Sequence, residues 1–154
     1  MIKLPSSDKS PIPKKAQLRV TAGLSGLDQV LLWFSQLHES SISSSLWLRC
    51  SLALAEGFTN VVRHAHKDKT PDFPVDLEVT MFPEHLEIRV WDEGPPFDLE
   101  KKIREIQEAT DPFSGGGRGL KLMRDIADEL SYTRLPDQRN CLLIVKYYGV
   151  QTRA

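Results

Sequence analysis

Polar and apolar residues alternate through Gln17-Leu-Arg-Val-Thr21, and a period of two predicts a short first strand. Leu27, Val30, Leu31 and Phe34 then recur at helical spacing, which predicts a helix over residues 24–37. A Ser-rich break at 40–45 precedes a longer helix running to about His66. Its stripe is Trp47, Ser51, Leu54, Phe58, Val61 and Ala65. Leu48, Leu52 and Val62 widen that arc, so this helix is expected to be largely covered. Residues 67–74 have the charged, Pro-containing composition of a loop.

A hairpin pattern follows. Val75, Leu77, Val79 and Met81 alternate with Asp76, Glu78 and Thr80, Pro83-Glu84 turns the chain, and Leu86, Ile88 and Val90 alternate with Glu87, Arg89 and Trp91. Residues 99–109 read as a charged, weakly amphipathic helix. Residues 120–130 read as another, with Leu120, Met123, Ile126, Ala127 and Leu130 as its apolar face. Residues 131–135 and 141–148 form a last hairpin around Pro136-Asp137. No repeat and no second domain is legible. The pattern predicts an α+β fold: a two-layer α/β sandwich with a mixed, mostly antiparallel sheet and helices on one face.

Composition narrows the picture. The 154 residues fit one domain with a real core. Lys and Arg total 20 against 21 Asp and Glu, so no electrostatic footprint for nucleic acid or membrane is expected. Cys50 and Cys141 sit in apolar runs, which suggests buried reduced thiols and a cytoplasmic setting. No apolar run is long enough to span a bilayer. Residues 1–15 carry Ser, Lys and Pro without an apolar stretch and read as a mobile tail; residues 16–149 form the domain and 150–154 a short C-terminal tail.

Three segments carry candidate chemistry. Glu-Gly-Phe-Thr-Asn-Val-Val-Arg-His-Ala at 56–65 places Glu56 and Asn60 four residues apart, on one helix face. They read either as a solvated face or as polar groups facing a cavity. Asn supplies a neutral oxygen suited to Mg²⁺, and Glu could act as a base for a hydroxyl. Asp92 shares parity with Leu86, Ile88 and Val90, so it points to the core face, where a carboxylate needs a donor. It is either an acceptor for an amino group such as the adenine N6 or a strand-end Asp opening a turn. Gly94 lets the backbone approach a ligand closely. Gly115-Gly-Gly-Arg-Gly119 precedes a helix and can present N–H groups to phosphate, with Arg118 adding a charged contact; the alternative is a flexible linker. His64 and His66 diverge on a helix and make no metal pair; His64 reads as structural or supporting.

The order and spacing of these segments resemble the N, G1 and G2 boxes of Bergerat-fold ATPases, the superfamily of gyrase B, sensor histidine kinases and anti-sigma-factor serine kinases. The similarity covers about residues 17–149. The compact size and the lack of a histidine-bearing dimerisation helix look most like the anti-sigma serine/threonine kinases. That resemblance implies Glu56 as catalytic base, Asn60 as Mg²⁺ ligand and Asp92 as adenine acceptor with Gly94 beside the base. It assigns Gly115, Gly117, Arg118, Gly119 and Leu120 to the ATP lid and phosphate cradle. Pro95-Pro96 departs from the second glycine of many members. Asn140-Cys141 stands where many carry Gly-Thr, so their supporting adenine contact is not carried over. The lid, about residues 97–117, is longer than usual and has its own helix.

The resemblance therefore implies an ATP- and Mg²⁺-dependent protein serine/threonine kinase of the anti-sigma-factor type. Its substrate would be a Ser or Thr of a small antagonist protein, with a sigma factor as a second partner and homodimerisation left open. The rival readings are a nucleotide-dependent switch that sequesters a partner without phosphorylating it, and an ATPase module of a two-component system.

Overall fold

A computed structural model describes residues 13–65, 73–108 and 118–149. Among them the elements run β1 (Lys14–Thr21), α1 (Leu24–Gln36), α2 (Ser44–Ala65), β2 (Pro74–Met81), β3 (His85–Asp92), α3 (Leu99–Glu108), α4 (Arg118–Ile126), β4 (Glu129–Arg134) and β5 (Asn140–Tyr147). The strands form one sheet in the order β1-β2-β3-β5-β4, and every pairing is antiparallel. This is the expected two-layer sandwich, with a sheet that is wholly antiparallel among the described residues where a mixed one was expected. The first strand begins at Lys14, three residues before the alternation becomes legible. Residues 1–12 and 150–154, where the tails were expected, lie outside the described residues, as do 66–72.

The alternation decides which side of each strand is buried. Leu77, Val79, Leu86, Ile88, Val90, Leu142 and Ile144 face the helices, and each is at most 1% exposed. Against them pack Val30 and Phe34 of α1, Trp47, Cys50, Leu54, Phe58 and Val61 of α2, and Leu120, Met123 and Ile126 of α4. Phe34 and Trp47 stack with ring centroids 4.3 Å apart. The Trp47 indole N–H donates to the Phe34 carbonyl at 3.1 Å, which satisfies its one donor inside the core. Ser43 caps α2 by accepting the Leu46 N–H at 3.1 Å. Both cysteines are free and buried, and burial pushes the Cys50 thiol up to about 11. No helix among the described residues is long and apolar enough to cross a membrane.

Two further expectations are corrected. The fourth helix stops at Ile126 and does not run to Leu130. The Asp128 N–H donates to the Val145 carbonyl at 2.8 Å and its carboxylate accepts the Tyr147 N–H at 2.7 Å, so the chain has already joined the sheet. Leu130 lies on β4 opposite Ile144. The broad covered arc on α2 is also narrower than expected. Leu48 is 63% and Leu52 45% exposed. The buried surface is completed by small residues, Cys50, Ala53 and Gly57, which let the helix lie close to its neighbours.

Gly57 marks the closest approach. A Cβ there would stand 2.8 Å from Leu142 Cδ2 and 3.3 Å from Met123 Sδ. Both neighbours are fully buried and have little room to yield. Gly57→Val is therefore expected to destabilise the protein by about 1–3 kcal/mol through overpacking. Urea unfolding checks it, and an unchanged midpoint would contradict the tight fit of α2 on β5 and α4.

Candidate functional site

Asp92 ends β3 on the helix-facing side and is 3% exposed. The antiparallel register sets Asn140 of β5 directly opposite it, and Arg134 of β4 opposite Asn140. The three side chains form one polar row at the end of an otherwise apolar surface. The Asn140 amide donates to Asp92 Oδ1 at 2.9 Å and to the Gly94 carbonyl at 2.8 Å. Arg134 donates to the same carbonyl at 3.1 Å and to Asn140 Oδ1 at 3.3 Å. The Gly94 N–H donates to Asp92 Oδ1 at 2.8 Å.

Only one of the two carboxylate oxygens is served well. Among the described residues, buried Asp92 Oδ2 has no hydrogen-bond partner of good geometry. Burial raises the Asp92 pKa above its ordinary 3.8; Asn140, the Gly94 N–H, the nearby Tyr132 hydroxyl and the Arg134 charge pull it back only in part. Tyr132 is itself raised, first by burial and then by the Asp92 charge. Its ring contacts Phe97 with centroids 4.4 Å apart, so the segment after Gly94 folds back over β4. Asp98 then caps α3 by accepting the Lys101 N–H at 3.0 Å, and Glu100 pairs with Arg124 of α4 at 2.5 Å.

The second part of the site comes from α2. Asn60 is 9% exposed, and its buried Nδ2 has no partner among the described residues. A half-turn of the amide exchanges its N–H₂ and carbonyl ends, so the group can present either a donor or an oxygen. Glu56, one turn earlier, is partly exposed. Its carboxylate lies against the first turn of α4: a Cβ on Gly119 would stand 1.9 Å from Glu56 Oε1. That turn carries N–H groups without helical acceptors, which favour a negative charge nearby. Glycine at 119 is what lets the acid approach it.

Asp92 is buried as its parity required, and Asn60 is buried on the same helix as Glu56. The structure brings Glu56 and Gly119 into contact. Gly94 is buried with both backbone polar groups engaged. Leu120 is 4% exposed and belongs to the core. Gly115, Gly117, the Arg118 and His64 side chains, and His66 lie outside what is described. Among the described residues no cluster of three or more His, Cys, Asp or Glu could hold a metal ion, so a cation at Asn60 would need ligands from a bound molecule. Asn140, Arg134 and Tyr132 were missed as members of the site. The signal for Asn140 was present: it shares parity with Leu142 and Ile144, so it is a polar residue on a core face.

Comparison with known proteins gives a consistent picture. The model of the histidine kinase-like ATPase domain matches residues 20–146. The serine-protein kinase RsbW of Bacillus subtilis is 38% identical over 85 residues, covering 51% of this chain and 52% of that protein. The protein of the same name from Bacillus licheniformis is 36% identical over 84 residues, 51% of this chain and 52% of its own length. The one from Listeria monocytogenes is 34% identical over 84 residues, 51% of this chain and 53% of its own. The chain thus spans about half the length of the curated relatives it matches. Among solved structures, a chain of the SiaB–SiaC complex from Pseudomonas aeruginosa superposes with a TM-score of 0.60 at 14% identity, covering 86% of this chain and 89% of that one. The RsbU and RsbW domains of Rv1364c from Mycobacterium tuberculosis give 0.59 at 12% identity, covering 86% and 32%. At these identities the likeness is one of fold.

The half-served carboxylate generates a prediction for the ligand-free protein. The folded-state pKa of Asp92 is raised, so the native state holds the proton more tightly than the unfolded chain does. Its ionised form therefore costs stability above that pKa, and the cost disappears as pH falls through it. Asp92→Asn is expected to keep or raise the melting temperature at pH 7 and to flatten its dependence on pH between neutral and mildly acidic. Urea unfolding across that range checks this. A loss of more than about 2 kcal/mol at pH 7 would mean that the carboxylate stabilises the fold.

Proposed function

The chain belongs to the histidine kinase-like ATPase domain family, and from that premise we propose that it is an ATP- and Mg²⁺-dependent protein serine/threonine kinase of the anti-sigma-factor type. The observation that carries the reading is that Asp92 Oδ2 and Asn60 Nδ2 are buried without partners, two of three such atoms among the described residues, the third being the Tyr148 hydroxyl, to which no role is assigned. Folded chains rarely leave such groups unsatisfied unless a ligand, an ion or water completes them. Asp92 Oδ2 suits the exocyclic amino group of adenine. Asn60, with its carbonyl turned outward, suits Mg²⁺, whose remaining ligands would be phosphate oxygens and water.

Bound ATP would supply the phosphoryl group. The chain's own contribution is positioning and proton transfer. Glu56 lies one helical turn from Asn60, and its carboxylate would take the proton from the acceptor hydroxyl as the oxygen bonds to phosphorus and ADP leaves. Gly119 leaves room for that carboxylate against the first turn of α4. The substrate would be a Ser or Thr on a small antagonist protein. The relatives are named serine-protein kinases, which supports this choice. A sigma factor is the proposed second partner, and the setting is cytoplasmic.

Labelled phosphate transfer from Mg-ATP to candidate antagonists from the same genome tests the proposal. Glu56→Gln is expected to lower transfer by roughly 10²–10⁴-fold with ATP affinity little changed. Asn60→Ala should instead weaken Mg²⁺-dependent binding. Gly119→Ala places a methyl where the Glu56 carboxylate lies, so it should fold and yet resemble Glu56→Gln. Tight ATP binding with no transfer to any candidate would favour the rival reading, a nucleotide-dependent binding switch. Equal loss of ATP affinity in the Glu56 and Asn60 variants would overturn the assigned roles.

A further inference from the structure

We propose that Asn140, braced by Arg134, is a positioning residue that turns the Asp92 carboxylate so that Oδ2 alone faces the ligand, and that this makes the site select a purine bearing an amino group over one bearing an oxo group at that point. The inference rests on the ATP reading and deepens it.

Both N–H bonds of the Asn140 amide are committed, one to Asp92 Oδ1 and one to the Gly94 carbonyl. Its own oxygen accepts from Arg134. Oδ1 of Asp92 receives two donors, Asn140 and the Gly94 N–H, at 2.9 and 2.8 Å. Two directed bonds to one oxygen fix both the plane and the rotation of the carboxylate. They engage that oxygen, which leaves Oδ2 as the one without a well-formed partner, with the Tyr132 hydroxyl near the carboxylate. Asn140 is 0% exposed, so its amide is committed to these partners and not to solvent. A ligand amino group would meet a fixed lone pair. A ligand oxo group would place lone pair against lone pair where water is scarce, and sites built to pair with a donor reject analogues that lack it. Arg134 holds the amide in this orientation, because a flipped Asn140 would turn its N–H₂ group toward the guanidinium and its oxygen toward Asp92 and the Gly94 carbonyl.

Removing Asn140 has two consequences. The carboxylate becomes free to rotate, and it loses the largest influence that opposes the burial-driven rise in its pKa. A rotating Asp92 no longer presents one fixed lone pair, so it distinguishes less sharply between an amino and an oxo group. Discrimination should then fade while binding of the oxo purine is kept.

The test is the affinity of the full chain for ATP and for inosine triphosphate (ITP), measured with Mg²⁺ at pH 7 alongside thermal melts. The parent is expected to prefer ATP by at least about tenfold, the effect of one well-placed hydrogen bond gained against one acceptor left unpaired. In Asn140→Ala that preference should fall to within about threefold, mainly through weaker ATP binding. If Asn140→Ala does not fold, Arg134→Met decides, since Arg134 is exposed and its loss leaves the core intact. It should reduce the ratio in the same direction by a smaller factor. A parent that binds ATP and ITP equally overturns the proposal, as does a folded variant that weakens both nucleotides alike. None of these readouts requires phosphate transfer, so failure of the kinase reading would show separately, as intact nucleotide selectivity without transfer.

Discussion

A carboxylate held in the core with one oxygen doubly hydrogen-bonded and the other without a well-formed partner is the constraint around which this structure is arranged. Burying Asp92 is unfavourable in itself, and its raised pKa records that. The register of three strands offsets much of the cost by bringing Asn140 and Arg134 into line with it. The offset is incomplete, and the incompleteness is specific to one atom. A residue retained for stability alone would have both oxygens paired or would be replaced by an apolar side chain. A half-served carboxylate is what a ligand-binding fold needs: the ligand's donor then gains a strong, water-excluded partner.

The helices carry the other candidate groups, Glu56 and Asn60, on an element that lies close against the sheet. α2 can do so because its buried face is made partly of small residues. Gly57 lets it settle on β5 and against Met123, and Gly119 lets the first turn of α4 meet Glu56. Close packing here does more than stabilise. It fixes the helix that carries both Glu56 and Asn60 relative to the sheet that carries Asp92. Glu100 and Arg124 extend the same logic outward by tying α3 to α4, though an exposed pair of this kind contributes little energy.

Much of this was legible in the sequence because burial imposes periodicity. Alternation located β2 and β3 and placed Asp92 on the inner face. Helical spacing located α1 and α2. What the sequence hid were features that depend on tertiary partners. The end of α4 was set by Asp128 bonding into the sheet, while the apolar pattern continued through Leu130 and suggested more helix. Leu48 and Leu52 looked like core by residue type, yet the helix turns its small residues inward and leaves them exposed. Asn140 departs from a familiar sequence pattern, and its role depends on lying across from Asp92 in the register. Parity alone could have found it.

The proposed function requires Asp92 and Asn60 to be completed by one nucleotide with its metal. Calorimetric titration of the intact, ligand-free chain with ATP, with Mg²⁺ and again with the metal chelated, tests that most directly. The account predicts saturable binding at one site per chain that weakens when Mg²⁺ is removed. Absence of binding under both conditions, at protein concentrations where the chain is folded, would contradict it.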